Sequence, residues 1–340
     1  MTIRSLVGDL TPLLLSHSRR PIHGKVDWLL LSNGAADLND NVIFFGFEDN
    51  DALPSYVAKV PRLPGNGWIV RTEYERLVEL WNRMGVEAAD YVPEPLALFQ
   101  AGQQQVLVIS YVRGEGLLYS AKKRLWHDPK RVLALSREAA LSLRTLHDRV
   151  SFSLDNREKA SSDFSRKAEA FIKIYSPSDE ELRALSELTG CYMAQTANFR
   201  TMIQGDFWHG NIIRDAAHGN LVFVDWQYAR WSTDVSLDVY LFLLAGAVAV
   251  SQGSSDKERA QSAMNVLRQW RSEIIPAYLA VYGAAERFSL LPARYGMMLC
   301  CVEKAVRAVL DFGYNQSDDM IWRNLFTELA MTDRGLFDGI

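Results

Sequence analysis

The chain has 340 residues, 48% hydrophobic and 23% charged, with a net charge of −4. Those values exclude a disordered or fibrous chain, and the intermixed acids and bases offer no basic surface to nucleic acid or to an anionic membrane. Its three cysteines, Cys191, Cys300 and Cys301, have no metal-ligand spacing, so the expectation is a reducing, cytoplasmic setting without disulfides.

The length suggests two domains or lobes. The N-terminal run "LTPLLL" is too short and interrupted for a secretory signal. "VDWLLLS" (26–32) and "VIFFGF" (42–47) read as strands, with the turn-rich "NGAADLNDN" between them. "SYVAKV" (55–60) is a third strand, ended by Pro61, and "TEYERLVELWNRM" (72–84) is a helix stopped by Gly85. "PLALF" and "QVLVISYV" follow as strands, giving the order β, β, β, α, β, β, and "RGEGL" (113–117) reads as a linker.

Beyond it the character is helical. "DPKRVLALSREAALSLRTLH" has Asp128 and Pro129 at its cap and first turn. Further helices are expected over about 161–175 and 179–198. The short β-type pieces "TMI" and "LVFVD" flank the segment "QGDFWHGN" (204–211). From Asp234 onward the chain is mostly helical. Its longest apolar run, 239–250, is shorter than the roughly 20 residues of a membrane helix and reads as a buried one. The layout expected is α+β: a β-rich lobe over 1–110, a hinge over 111–116 and a helical lobe over 117–340.

Several charged residues sit where charge is costly. Lys59 lies within a strand, between Ala58 and Val60, so it either points to solvent from an edge or needs a partner. Glu73 shares a helix face with Leu77, Leu80 and Met84 at i, i+4, i+7 and i+11. An acid on an apolar face needs a cation, and a Lys–Glu pair is how kinase-type sites aim an amine at ATP phosphates. In "QGDFWHGN", bulky Phe207 and Trp208 separate Asp206 from Asn211, a mixture that suits a rigid loop holding polar groups at the edge of a core. Phosphoryl transfer needs a carboxylate to orient the nucleophile and oxygen ligands for magnesium. Asp206 suits the first task; Asn211 and Asp225, which follows the apolar "LVFV", suit the second. A cap or turn role for Asp225 is the alternative.

These residues resemble the aminoglycoside phosphotransferase and choline kinase superfamily, with some likeness to its ecdysteroid-kinase-like branch. Its catalytic loop H-G-D-x-x-x-x-N is matched by "QGDFWHGN", its metal segment by "FVDWQ", its "LxxLH" by "LRTLH" and its D-L pair by Asp238 in "SLDVYLFLLAG". "YVAKV" and "EYERLVEL" match the strand lysine and helix glutamate. The resemblance spans roughly residues 25–310. It implies a protein-kinase-like two-lobe fold and an ATP- and magnesium-dependent transfer of phosphate to a hydroxyl of a small molecule. In that reading Asp206 is the catalytic base, and Asn211 and Asp225 hold the metal. Lys59, aligned by Glu73, holds the phosphates with the loop around Gly34, and Ser110, Tyr111 and Val112 meet the adenine. Two departures stand out: Gln204 replaces the usual His, and "SNGAADLNDN" has a single glycine. They keep open an inactive pseudokinase serving as a nucleotide-binding or interaction module. A protein kinase is disfavoured by "DWQ" in place of D-F-G and by the lack of an A-P-E signature.

The acceptor stays open between an aminoglycoside, a choline-like amino alcohol, a sugar and a secondary metabolite. Asp311, Asp318 and Asp319 are candidates for an acidic pocket suited to a polycation. Trp226, Tyr228 and Trp231 would either form an aromatic cage for a quaternary ammonium or pack the loop. His147 reads as structural at a helix end, His209 has no evident role, and Cys300 and Cys301 read as core.

Overall fold

Five strands build one antiparallel sheet, β1 (Val26–Leu31), β2 (Asn41–Glu48), β3 (Tyr56–Pro61), β4 (Pro95–Ala101) and β5 (Gln104–Ser110), in the order β1-β2-β3-β5-β4. The computed structural model describes residues 3–22, 24–31, 41–49, 51–117, 128–159, 163–283, 287–312, 320–332 and 337. Gly34, Asp318 and Asp319 lie outside them. Two compact units emerge, one of Met1–Glu115 with Ile213–Ala229, the other of Gly116–Ile212 with Arg230–Ile340.

In the first unit each face of the sheet receives a helix. Ala58 and Val60 of β3 belong to a core that contains Leu10 and Leu14 of α1 (Ile3–His17). Thr11 fastens that helix, its Oγ1 donating to the Val26 carbonyl at 3.0 Å and accepting from the Trp28 indole at 3.0 Å. Lys59, between Ala58 and Val60, projects to the opposite face by the period of two. There α2 (Gly67–Met84) buries Ile69, Val70, Glu73, Leu77 and Leu80. It starts five residues before the predicted 72 and stops at Gly85, whose φ of +62° takes the left-handed region in which glycine is unstrained. A second sheet, β10-β9-β6, comprises β6 (Gly114–Gly116), β9 (Ile212–Asp215) and β10 (Leu221–Phe223). The expected linker "RGEGL" thus carries a strand, and a Cβ on Gly114 would collide with the Arg214 carbonyl.

The second unit is mainly helical. Its sheet, β11-β8-β7, joins β7 (Phe152–Lys159), β8 (Thr196–Ile203) and β11 (Arg230–Ser232). The helix expected over 179–198 ends at Ala194, because the next residues enter β8. The apolar run lies in the helix Ser236–Val250, buried over most of its surface as expected. It packs closely on the helix Ala293–Phe312, where a Cβ on Gly296 would enter the Tyr240 ring. Cys300 and Cys301 are buried, and Cys300 Sγ lies 3.5 Å from the Leu237 carbonyl. No described helix is long and apolar enough to cross a membrane.

Asp234 precedes the helix Ser236–Val250. It is buried and accepts from the Ser236 amide at 3.2 Å and hydroxyl at 2.6 Å. Burial outweighs these bonds and raises its pKa from the ordinary 3.8 to about 6. The unfolded chain ionises at the lower value, so the favourable contribution is complete below about pH 4 and is lost as pH rises through about 6. Asp234→Asn is expected to leave stability unchanged at pH 4 and to raise it by up to about 3 kcal/mol at pH 7.5. Urea unfolding at both pH values measures this, and an equal effect at the two would contradict it.

Candidate active site

Each unit gathers its own group of polar side chains. In the first, Lys59 and Glu73 meet across the sheet–helix interface, as their periodicities require. The Lys59 Nζ donates to Glu73 Oε1 at 2.7 Å and Oε2 at 2.8 Å, and to Asp225 Oδ1 at 3.1 Å. Burial opposes the ammonium charge, but the carboxylates of Glu73 and Asp225 outweigh it and hold the pKa above the ordinary lysine value. Glu73 is fully buried and also accepts from the Trp226 amide at 3.3 Å. Removing one member of such a pair strands a buried charge, at a cost of about 3–5 kcal/mol.

Asp225 lies two residues beyond β10, with φ +66°. A non-glycine residue in that region carries strain of about 1–3 kcal/mol, which persists only where the surroundings impose it. Trp226 supplies part of that constraint: it is fully buried, and its indole donates to the Phe223 carbonyl at 2.8 Å. That burial favours the packing role over a cage. Trp231, in the other unit, meets Phe152 edge-on with ring centroids 5.3 Å apart.

Ser110, Tyr111 and Val112 leave the end of β5. The Ser110 amide donates to the Glu94 carbonyl and the Tyr111 amide to the Ser55 carbonyl, each at 2.9 Å. Two of the three amides in the expected adenine contact are therefore engaged within the unit.

The second unit holds the loop 204–211. Its anchor is Asp238, fully buried, which accepts from the Gln204 amide at 2.7 Å and the Gly205 amide at 2.8 Å. Any residue except proline at 204 supplies that amide, so Gln in place of the expected His leaves the anchor in place. His147 Nε2 lies 3.5 Å from Asp238, and its Nδ1 is 2.6 Å from the Tyr282 hydroxyl, as befits a structural residue. Gly205 takes φ +77°, and Phe207 packs on Phe242 at 5.7 Å between centroids. His209 is buried, and that burial lowers its pKa to about 4.

Asp206 is the centre of this loop. Its Oδ1 accepts from Lys304 Nζ at 2.8 Å and from Arg307 at 2.9 Å. The amide Nδ2 of Asn211 donates to the Asp206 carbonyl at 3.0 Å and to its Oδ2 at 3.2 Å. Burial alone would raise the Asp206 pKa; Lys304 and Arg307 overcome it and lower the value to about 2. A carboxylate has about four acceptor positions. Two cations and one amide fill three, leaving one for a hydroxyl donor. The Asn211 amide is turned by its Nδ2 bonds so that Oδ1 is left as an acceptor.

Lys304 and Arg307 are the functional candidates that sequence reading missed. Their signal is a pair of cations at i and i+3 inside the mostly apolar "MMLCCVEKAVRAVL". Glu303 beside them is buried and bonded to Lys167 at 2.8 Å and Arg230 at 3.0 Å. Among the described residues no group of three or more His, Cys, Asp or Glu forms a metal site. The oxygens of Asp225 and Asn211 are hard donors of the kind that magnesium takes together with substrate phosphates.

A model of the phosphotransferase enzyme family matches residues 36–289. Among solved structures, the chain is similar to a thermostable mutant of aminoglycoside phosphotransferase APH(4)-Ia in ternary complex with ADP and hygromycin B. The TM-score is 0.55 at 13% identity, covering 90% of this chain and 94% of that one. APH(3'')-Id from Streptomyces rimosus, in complex with ADP and streptomycin, matches with TM-score 0.47 and 15% identity over 87% of this chain and 98% of that one. Aminoglycoside-3'-phosphotransferase of type VIII matches with TM-score 0.44 and 21% identity over 82% and 97%. No curated protein gives a significant match. At such identity the first likeness shows the fold, which is the expected α+β, protein-kinase-like one.

Proposed function

The chain belongs to the phosphotransferase enzyme family, and on that premise we propose that it transfers the γ-phosphate of ATP to a hydroxyl of a small molecule. The observation that carries this reading is the buried Lys59–Glu73–Asp225 cluster, a costly arrangement of charge that a binding module without nucleotide has no need to keep. An ammonium has three donors. Glu73 takes two of those on Lys59, and a nucleotide phosphate takes the one now given to Asp225. The carbonyls of Ser110 and Tyr111 and the backbone of Val112 meet the adenine.

Asp225 and Asn211 would hold magnesium, which neutralises charge on the phosphate oxygens. Asp206 orients the acceptor hydroxyl through its remaining acceptor position and takes the proton as transfer completes. Phosphoryl transfer through a loose transition state asks the protein for positioning and electrostatics more than for a strong base, which agrees with a carboxylate held by two cations. The retention of Lys59, Glu73, Asp206, Asn211 and Asp225 supports an active enzyme over the pseudokinase alternative.

Calorimetric titration of ATP, with and without magnesium, into wild type and Asp225→Ala tests the nucleotide half. Magnesium is expected to tighten ATP binding to the wild type. Loss of one charged ligand, worth about 1.5–3 kcal/mol, should remove about tenfold or more of that gain in the mutant. Failure of both ATP and GTP to bind the wild type would overturn the proposal.

A further inference from the structure

The second unit contains a cavity of about 600 Å³. Trp208, Trp322, Leu241 and Val248 form its apolar walls, and Asp256, Arg259 and Lys304 are its charged lining. It adjoins the loop around Asp206 in two ways. Trp208 is two residues from Asp206, and Lys304 Nζ reaches both Asp206 Oδ1, at 2.8 Å, and the Trp322 ring, 5.7 Å from its centroid. The volume falls within the range of sites for drug-sized molecules, and apolar walls with a few convergent polar groups are what such sites have.

The carboxylates here are already paired. Arg259 lies 3.4 Å from Asp256, and Asp206 is answered by both Lys304 and Arg307. Lining and loop together, Asp206, Asp256, Arg259, Lys304 and Arg307, carry two negative and three positive charges. A polycation entering here meets no surplus carboxylate among the described residues and is repelled by Lys304 beside the reacting position. Asp311, a candidate for an acidic pocket, does not line the cavity.

We infer that the acceptor is a hydroxylated molecule with an aromatic or apolar body and no ammonium group, neutral or anionic, seated between Trp208 and Trp322 with its hydroxyl toward Asp206. This rests on the phosphotransferase reading and departs from the polycationic acceptor that the resemblance offered.

A charge-matched series of probes tests it. Naphthyl β-glucoside, naphthyl β-glucuronide and naphthyl β-glucosaminide share one body and carry zero, negative and positive charge; kanamycin is the polycation. Each is titrated calorimetrically into the full chain loaded with AMP-PNP and magnesium. The glucoside and glucuronide are expected to bind, the glucosaminide about tenfold or more weaker, and kanamycin not at all. Arg259→Glu changes a side chain that is 41% exposed and tolerates replacement. It should weaken the glucuronide several-fold, strengthen the glucosaminide and leave the glucoside unchanged. Trp322→Ala should weaken all three. Tighter binding of kanamycin or the glucosaminide than of the glucoside overturns the inference, as does binding of none of the three glycosides. The heat of AMP-PNP loading in the same cell separates these results from failure of the phosphotransferase reading, in which no nucleotide binds.

Discussion

Replacing Asp206 by asparagine is expected to lower turnover by about 10²- to 10⁴-fold while ATP affinity stays within a few-fold of wild type. The reason is geometric. Lys59, Glu73 and Asp225, which are proposed to meet the nucleotide, belong to the other unit and keep their bonds. Asparagine preserves the size of the side chain but removes the negative charge and replaces an acceptor oxygen with a donor. Lys304 and Arg307 then face an uncharged amide at the places where Oδ1 accepted from them at 2.8 and 2.9 Å. A modest loss of stability is expected alongside the loss of rate. ADP release with any turned-over acceptor, together with ATP calorimetry, measures both parts. Near-normal turnover would sink the assignment of Asp206, and loss of ATP binding would show that the carboxylate serves the nucleotide instead.

The second large effect is expected at Asp238, which touches no proposed substrate. Its carboxylate accepts from the Gln204 and Gly205 amides, and it is fully buried. Asp238→Ala leaves two buried donors without that acceptor and opens a cavity, at a combined cost of about 3–5 kcal/mol. Because the loop entry is fixed at this point, turnover should fall on the order of 10²-fold even in the fraction that folds. Urea unfolding and single-turnover rates of Asp238→Ala and the milder Asp238→Asn test this. Stability unchanged in both variants would show that the loop is held from elsewhere.

Much of this was legible from local spacing. The β, β, β, α, β, β order, the helix stop at Gly85 and the Lys59–Glu73 pair all follow from periods of 2 and 3.6 within short windows. The grouping of polar side chains in the loop 204–211 was legible because Asp206 and Asn211 are five residues apart and bond to each other directly. Other features escaped for identifiable reasons. Helix α1 contains Pro12, and "LTPLLL" gave only a short apolar run, although Leu10 and Leu14 are buried one turn apart. Strand β7, "FSLDNREK", is too polar to read as β on its own and owes its conformation to pairing with β8. Lys304 and Arg307 lie 98 and 101 residues from Asp206 in the chain. No window joins them to it; only the packed helix Ala293–Phe312 does.

The helix Ala293–Phe312 ties two properties together at one residue. Lys304 both lines the cavity and pairs with the carboxylate of the loop, so a substitution there that admits a new acceptor also disturbs Asp206, the group proposed to orient its hydroxyl. Drift in specificity would therefore be expected to run through Leu241, Val248 and Arg259, which line the cavity away from the Lys304–Asp206 pair in sequence. Relatives that accept polycations would be expected to differ first at 304 and 307, and to have exchanged the partners of the aspartate at 206 along with the acceptor.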